Sequence, residues 1–276
     1  MELTFQQRER LKRIQLDLFR QFLDICARIG LTYYLLGGTL LGAVRHQGFI
    51  PWDDDIDVGM PRRDYTRFLE LSPRYLSEGI FLQTCWTDPE FPCNYAKLRN
   101  SRTTFIEPGL KHRDIHHGVY IDIFPLDFYP DKGRLFFDSK ALLLKLRLTD
   151  GFLPGGMKPH AKLVRCLSRI LYPSLSQAVV RREALFCSVK RGAFIANHCG
   201  AWGKKETVPA HWYGEGTVVR FEGLEVLAPS GYHAWLTQVY GDYMALPPPE
   251  QRISHHFIEF FDPDRPYTLY LGKEQT

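Results

Sequence analysis

The chain predicts a mixed fold of the α/β (α+β) kind: a small mixed sheet flanked by helices, with an inserted helical lobe. Three observations predict it. Residues 1–130 alternate between apolar residues at three- and four-residue spacing and short runs of β-branched and aromatic residues. Residues 131–200 keep the helical period. The 276 residues are 45% hydrophobic and 24% charged, the balance of a chain that buries a real core, and they contain no repeat or low-complexity segment. The expected organisation is a core over 1–130, a basic helical lobe over 131–200, and a hairpin and helix over 201–276 that complete the region of the site.

Each element has a local reason. Leu11, Ile14, Leu18, Phe22 and Ile25 mark one face of a first helix, and Gly30 stands where its C-cap belongs. LTYYLL (31–36) reads as a strand that stops at Gly37-Gly38-Thr39, and LLGAVR then opens a second helix. Gly48 and Pro51 mark a loop before an apolar strand over 56–60, followed by a helix over 64–71. Further strands are expected at 80–84, 95–98, 103–106 and 119–124, with Asp127 as a turn or cap residue after Pro125. Leu163, Leu167, Ile170 and Leu171 form one helical stripe in the lobe, and Leu175, Val179 and Phe186 belong to a later helix. Residues 217–221 and 224–227 form a hairpin around Glu222-Gly223, and 232–240 a helix before the Pro247-Pro248-Pro249 stop.

The formal charge of +4 excludes a strongly basic nucleic-acid coat protein, but the charge is unevenly placed. Thirteen Lys/Arg between Lys132 and Arg191 face only Asp138, Asp150 and Glu183, whereas the rest of the chain is acidic. Either this segment meets an anionic partner, such as a membrane leaflet carrying a lipid-linked glycan or a phosphate-rich acceptor, or the acidic core neutralises it. The six cysteines show no CxxC or zinc-knuckle spacing, and MELTFQQRERLKR has no apolar signal core. The reading is therefore a reduced, cytoplasmic chain, peripheral at the inner face of the membrane if it meets one; ALLLKLRL (141–148) is too short and charged to span a bilayer.

The densest chemical signal is WDDDID, Trp52 to Asp57. In an extended segment side chains alternate, so Asp53, Asp55 and Asp57 share one face while Asp54 and Ile56 take the other. Carboxylates gathered in this way repel one another and need a cation, a shared proton or full hydration. All-oxygen ligands suit Mg²⁺ or Mn²⁺ rather than Zn²⁺. A further carboxylate, Asp122, sits inside the apolar strand VYIDIF, where it gains exposure only if its face opens into a site; it is the natural third ligand or base. Gly37, Gly38 and Thr39 would present backbone N–H groups and a hydroxyl at a helix N-terminus, a place that favours phosphate. Lys97 and Arg99, on one face by parity, and Arg102 form a candidate phosphate clamp, with Arg45 near the glycine turn as a further member.

These residues carry a resemblance. The run GGTLLGAVRHQGFIPWDDDIDVGMPRRDY (37–65), with LRNSRT (98–103), GVYIDIFPLD (118–127) and LTQVYGDYMALPPPEQR (236–252), resembles the LicD family of phosphotransferases, distantly similar to fukutin and the fukutin-related protein. The resemblance implies a nucleotidyltransferase-like catalytic core, with its glycine turn at Gly37-Gly38, its paired aspartates at Asp55 and Asp57 and its third carboxylate at Asp122. It implies transfer of phosphocholine, or another alcohol phosphate, from a CDP-linked donor such as CDP-choline to a sugar of a teichoic acid or other surface glycan, releasing CMP.

Three other readings compete. A nucleotidylyltransferase would use the same carboxylates on an NTP and release pyrophosphate, and a binding module would recognise nucleotide or glycan without chemistry. A nucleic-acid polymerase is disfavoured because the acidic core lacks a basic, aromatic-interleaved groove. A quaternary ammonium would call for aromatic faces, for which Trp52, Tyr120, Trp235, Tyr240 and Tyr243 are candidates. His116-His117 and His255-His256 have no cysteine at zinc-ligand spacing and read as hydrogen-bonding histidines, while His46 lies beside the aspartate loop.

Overall fold

The computed structural model describes residues 2–148, 159–253 and 258–271, with only the backbone of 159–162. Helix α1 (Phe5–Ile29) begins at a capping box in which Thr4 and Gln7 satisfy each other's backbone N–H, and it ends at Gly30 in the left-handed conformation. The face carrying Leu11, Leu18, Phe19, Phe22 and Ile25 is buried, a stripe whose burial stabilises the fold by about 1.5–3 kcal/mol per side chain.

After α1 come β1 (Tyr34–Leu35), α2 (Gly37–His46), β2 (Asp57–Pro61) and α3 (Arg62–Leu71). They are followed by β3 (Ile80–Gln83), β4 (Ala96–Asn100), β5 (Thr104–Ile106) and β6 (Val119–Tyr129). The central sheet runs β1-β2-β6-β4-β3, antiparallel except for the parallel pair β2/β6. The strand expected over 31–36 is only two residues long, and the aspartate segment becomes a strand only at Asp57.

Strand β6 is longer than expected. It passes through Pro125, which falls where β4 has ended opposite Ile123 and the next partner on that side has not begun, so the missing N–H breaks no ladder there. Asp127 is therefore a strand residue and not a turn or cap: it is 2% exposed and holds Arg62 through two hydrogen bonds of 2.7 and 2.6 Å.

The lobe contains α4 (Arg134–Leu148), α5 (Pro159–Leu171) and α6 (Leu175–Phe186). Within 131–200, however, β7 (Phe194–Ala196) pairs with the far end of β6 and with β8 (Thr207–Pro209), which stitches the lobe into the sheet. The hairpin β9 (Thr217–Phe221) and β10 (Leu224–Ala228) turns at Glu222-Gly223, both with positive φ. It buries Phe221, Val226 and Ala228 in the main core beside α7 (Tyr232–Tyr240). Strand β11 (Phe260–Asp262) closes on β5.

Candidate active site

The glycine turn, the aspartate loop and β6 meet at one point because the backbone ties them there. Leu36 N–H donates to Asp57 O at 3.0 Å, and Asp122 N–H donates to Ile56 O at 2.9 Å. The parallel register sets Asp57 opposite Asp122. Gly37 takes φ +53°, which a side chain would strain, and a Cβ there would stand 3.0 Å from Asp57 Oδ2. A Cβ on Gly38 would collide with Asp53 Oδ2. The carboxylates of Asp53 and Asp57 thus lie against the first turn of α2, where the helix dipole favours negative charge.

A cavity of about 990 Å³ opens over this point. Asp53, Asp55, Asp57 and Asp122 all line it, as do Gly37, Gly38 and Arg45. Asp54 is buried on the other side, its carbonyl taking a 2.9 Å hydrogen bond from Gln15 of α1. The alternation expected for the segment therefore holds even where it is loop. Tyr95 and Phe124, centroids 4.6 Å apart, contribute to one wall, and Trp202, Glu206, Tyr240 and Tyr243 to another.

Four other predicted residues stand elsewhere than expected. The Thr39 hydroxyl accepts from Asp57 N–H at 2.9 Å and is buried, so it fixes the first aspartate of β2 and presents no hydroxyl to the cavity. Lys97 is 1% exposed, with Nζ 3.1 Å from Asp122 Oδ1, 3.6 Å from Glu107 and 3.2 Å from the centre of the Tyr120 ring. Arg99 is fully buried, donating to Gly118 O at 2.7 Å and to Glu107 at 3.4 Å. Arg102 is exposed at the opposite end of β4, beside Glu78. Lys97, Arg99 and Arg102 do not line the cavity, so they form no phosphate clamp there: two are locked in a buried ionic cluster and one faces solvent. Arg45 does line it, with its guanidinium 2.8 Å from Tyr243 O, holding the C-terminal wall.

The buried cluster sets the electrostatics. Burial pushes the Asp122 carboxyl above the ordinary range; Lys97 opposes that push, and the carboxylates of Glu107 and Asp55 reinforce it. Burial acts on Glu107 in the same sense, but Lys97 and Arg99 outweigh it and hold Glu107 below its ordinary value. Elsewhere in the lining, Glu206 accepts from Trp202 N–H and from the Asn197 amide, both at 2.9 Å, and burial raises it to about 7.

Glu107 and the wall formed by Trp202 and Glu206 were not anticipated. Glu107 directly follows β5, and the acidic residue in TFIEPG was the available signal; Trp202 caps and Glu206 ends a single 3₁₀ turn over 203–206, too short for periodicity to mark. His116 behaves as expected of a hydrogen-bonding histidine: Nδ1 accepts from Gly118 N–H at 3.0 Å, and burial depresses it to about 3. Among the described residues no three His, Cys, Asp or Glu side chains already converge as a metal cage. A Mg²⁺-sized ion does not require one, because it binds through one or two carboxylates and completes its shell with water and phosphate oxygens. Asp55 and Asp57, with Asp53 and Asp122 beside them, are the residues that could hold it.

A glycine turn entering a helix, a carboxylate loop that runs into the next strand and a further carboxylate on that strand's parallel neighbour define a domain of the nucleotidyltransferase class. Residues 30–143 match the LicD/FKTN/FKRP nucleotidyltransferase domain. The chain is 30% identical over 256 residues to the lipopolysaccharide cholinephosphotransferase LicD of Haemophilus influenzae, covering 89% of this chain and 94% of that one. It is 44% identical over 45 residues to the human ribitol 5-phosphate transferase FKRP, covering 16% of this chain and 9% of that one. An uncharacterized protein of Rickettsia prowazekii is 28% identical over 123 residues, covering 44% and 41%. The chain belongs to the LicD family and is a transferase. Among its described residues, no helix is long and apolar enough to cross a membrane.

Proposed function

We propose that this transferase moves phosphocholine from CDP-choline to a hydroxyl of a cell-surface glycan, such as a lipopolysaccharide or teichoic-acid precursor, and releases CMP. The observation that carries the reading is the register of Asp57 against Asp122 at the mouth of the glycine turn, in a cavity large enough for a nucleoside diphosphate conjugate. The relative's cholinephosphotransferase name supports the choline. Trp202 and Tyr240, ring centroids 5.0 Å apart and edge to face, give the cavity π-surface of the kind that holds a trimethylammonium group without hydrogen bonds.

In this reading Asp55 and Asp57 would hold Mg²⁺ or Mn²⁺, with Asp53 beside them, and such an ion would neutralise charge on the diphosphate. The first turn of α2 offers its N-terminal N–H groups to the same phosphates. The acceptor oxygen attacks the phosphorus that bears choline, and the bond from that phosphorus to the CMP oxygen breaks. Asp122 takes the hydroxyl proton; Lys97 engages its Oδ1 and fixes its direction, while burial makes it a stronger base than an ordinary carboxylate.

The test is product analysis. Purified protein with Mg²⁺ and a panel of CDP-conjugates should release CMP, fastest from CDP-choline, even without acceptor. Release of CMP from CDP-ribitol alone would reassign the donor, and release of pyrophosphate from an NTP would overturn the reaction class.

A further inference from the structure

Helix α5 is docked by its lesser face. At about 100° per residue, Leu163, Leu167, Ile170 and Leu171 fall on one arc, Val164 and Ser168 on a second, and Arg165 and Arg169 on a third. The helix packs inward with the second arc, where Ser168 is fully buried and Val164 partly so. The broad apolar arc faces out: Leu163 and Ile170 are each 72% exposed, and Leu171 and Leu167 51% and 46%. A surface helix of a globular domain normally buries such a stripe, and apolar patches left outside mark surfaces that meet something else. On α4 of the same lobe, Leu135, Phe136 and Leu142 are exposed as well.

The charge of the lobe selects the occupant. Residues 132–191 carry thirteen Lys/Arg and three acids. Two of those acids are tied to other segments, Asp138 to Lys204 at 2.7 Å and Glu183 to Arg62. A second copy of the chain would bring a lobe of the same net positive charge against this one, and the two would repel. An anionic lipid surface supplies both what the arc needs and what the charge needs. Thirteen residues rise about 20 Å, so the helix lies along the interface and does not cross it. We propose that the outer face of α5, centred on Leu163, Leu167 and Ile170, docks the enzyme onto an anionic membrane surface.

Flotation of the full chain with vesicles tests this without substrate and independently of which donor the enzyme uses. The protein should float with vesicles of phosphatidylglycerol and phosphatidylcholine in equal parts, less so at high salt, and stay behind with phosphatidylcholine alone. The triple variant Leu163→Gln, Leu167→Gln, Ile170→Gln should lose at least about tenfold in partition while melting with the parent, because the side chains it changes are exposed. Cys166, the exposed cysteine of α5, carries an environment-sensitive label whose emission should shift to the blue on the anionic vesicles and not in the variant. Absence of flotation at low salt, or flotation equal in the variant, overturns the proposal. So does a parent dimer in sedimentation that the triple variant abolishes, which would make this a face between copies of the chain.

Discussion

Lys97 Nζ lies 3.1 Å from Asp122 Oδ1 with the Tyr120 ring 3.2 Å away, so a cavity carboxylate is held from behind by a lysine almost closed to solvent. Removing one partner of a buried ion pair strands the other, at a cost of about 3–5 kcal/mol. Lys97→Met should lower the unfolding free energy measured in urea by that amount, since it deprives Asp122 of its cation and leaves Glu107 with Arg99 alone. CMP release should fall with it, and Lys97→Arg should restore more of the stability than of the rate, because a guanidinium fork cannot occupy the point position of an ammonium.

Asp57→Asn separates chemistry from folding. CMP release should drop roughly a hundredfold or more, the scale at which a misplaced reacting group costs rate. Thermal stability should be unchanged or slightly higher, because the substitution removes one of several like charges lining the cavity. A calorimetric scan beside the rate measurement checks both halves. An equal fall in stability would mean that Asp57 is a structural residue.

Two glycines of α2 should respond differently to alanine. At Gly38 the new methyl meets the far end of the Asp53 side chain, which can swing away. Gly38→Ala should therefore keep the melting temperature while lowering the rate, as Asp53 leaves the helix end. At Gly42 the methyl meets the backbone of Gly48 and Ile50, which cannot yield cheaply. Gly42→Ala should cost about 1–3 kcal/mol in denaturant titration, as overpacking does.

Glu206 makes the wall of the cavity sensitive to pH. Its carboxyl ionises near 4.5 in the unfolded chain and about 7 in the folded one, where burial disfavours the charge. The folded state therefore binds the proton more tightly, and the stability this lends is fully present below about 4.5 and lost as pH rises through about 7. Unfolding free energy measured across that window should fall with pH in the parent and lose this slope in Glu206→Gln. The slope is the readout because the substitution also removes an acceptor from Trp202 N–H or Asn197.

Much of the core was legible because local rules and tertiary packing agree there. The 3.6-residue stripe and Gly30 bound α1, and alternation through WDDDID put Asp53, Asp55 and Asp57 on the cavity and Asp54 away from it, although only Asp57 joins a strand. Asp122 stood out as a charge in an apolar strand. Parity also put Lys97 and Arg99 on one face, but parity does not say what covers that face, and Glu107 and Tyr120 close over it. Periodicity likewise marked the stripe of α5 without revealing that it points outward. Trp202 and Glu206 reach the cavity through a single 3₁₀ turn that no longer-range spacing encodes.

The continuity of β6 bears on how such enzymes can be recombined. One strand carries Asp122 at the cavity and, past Pro125, pairs with β7, while Arg62 forks onto Asp127 and reaches Glu183 of α6. A chimera joined at residue 131 would separate that fork from Glu183 and β7 from its ladder. The smallest transplantable module therefore includes β6 and the start of α3, so relatives that acquire a new lobe must inherit part of the reaction centre along with it.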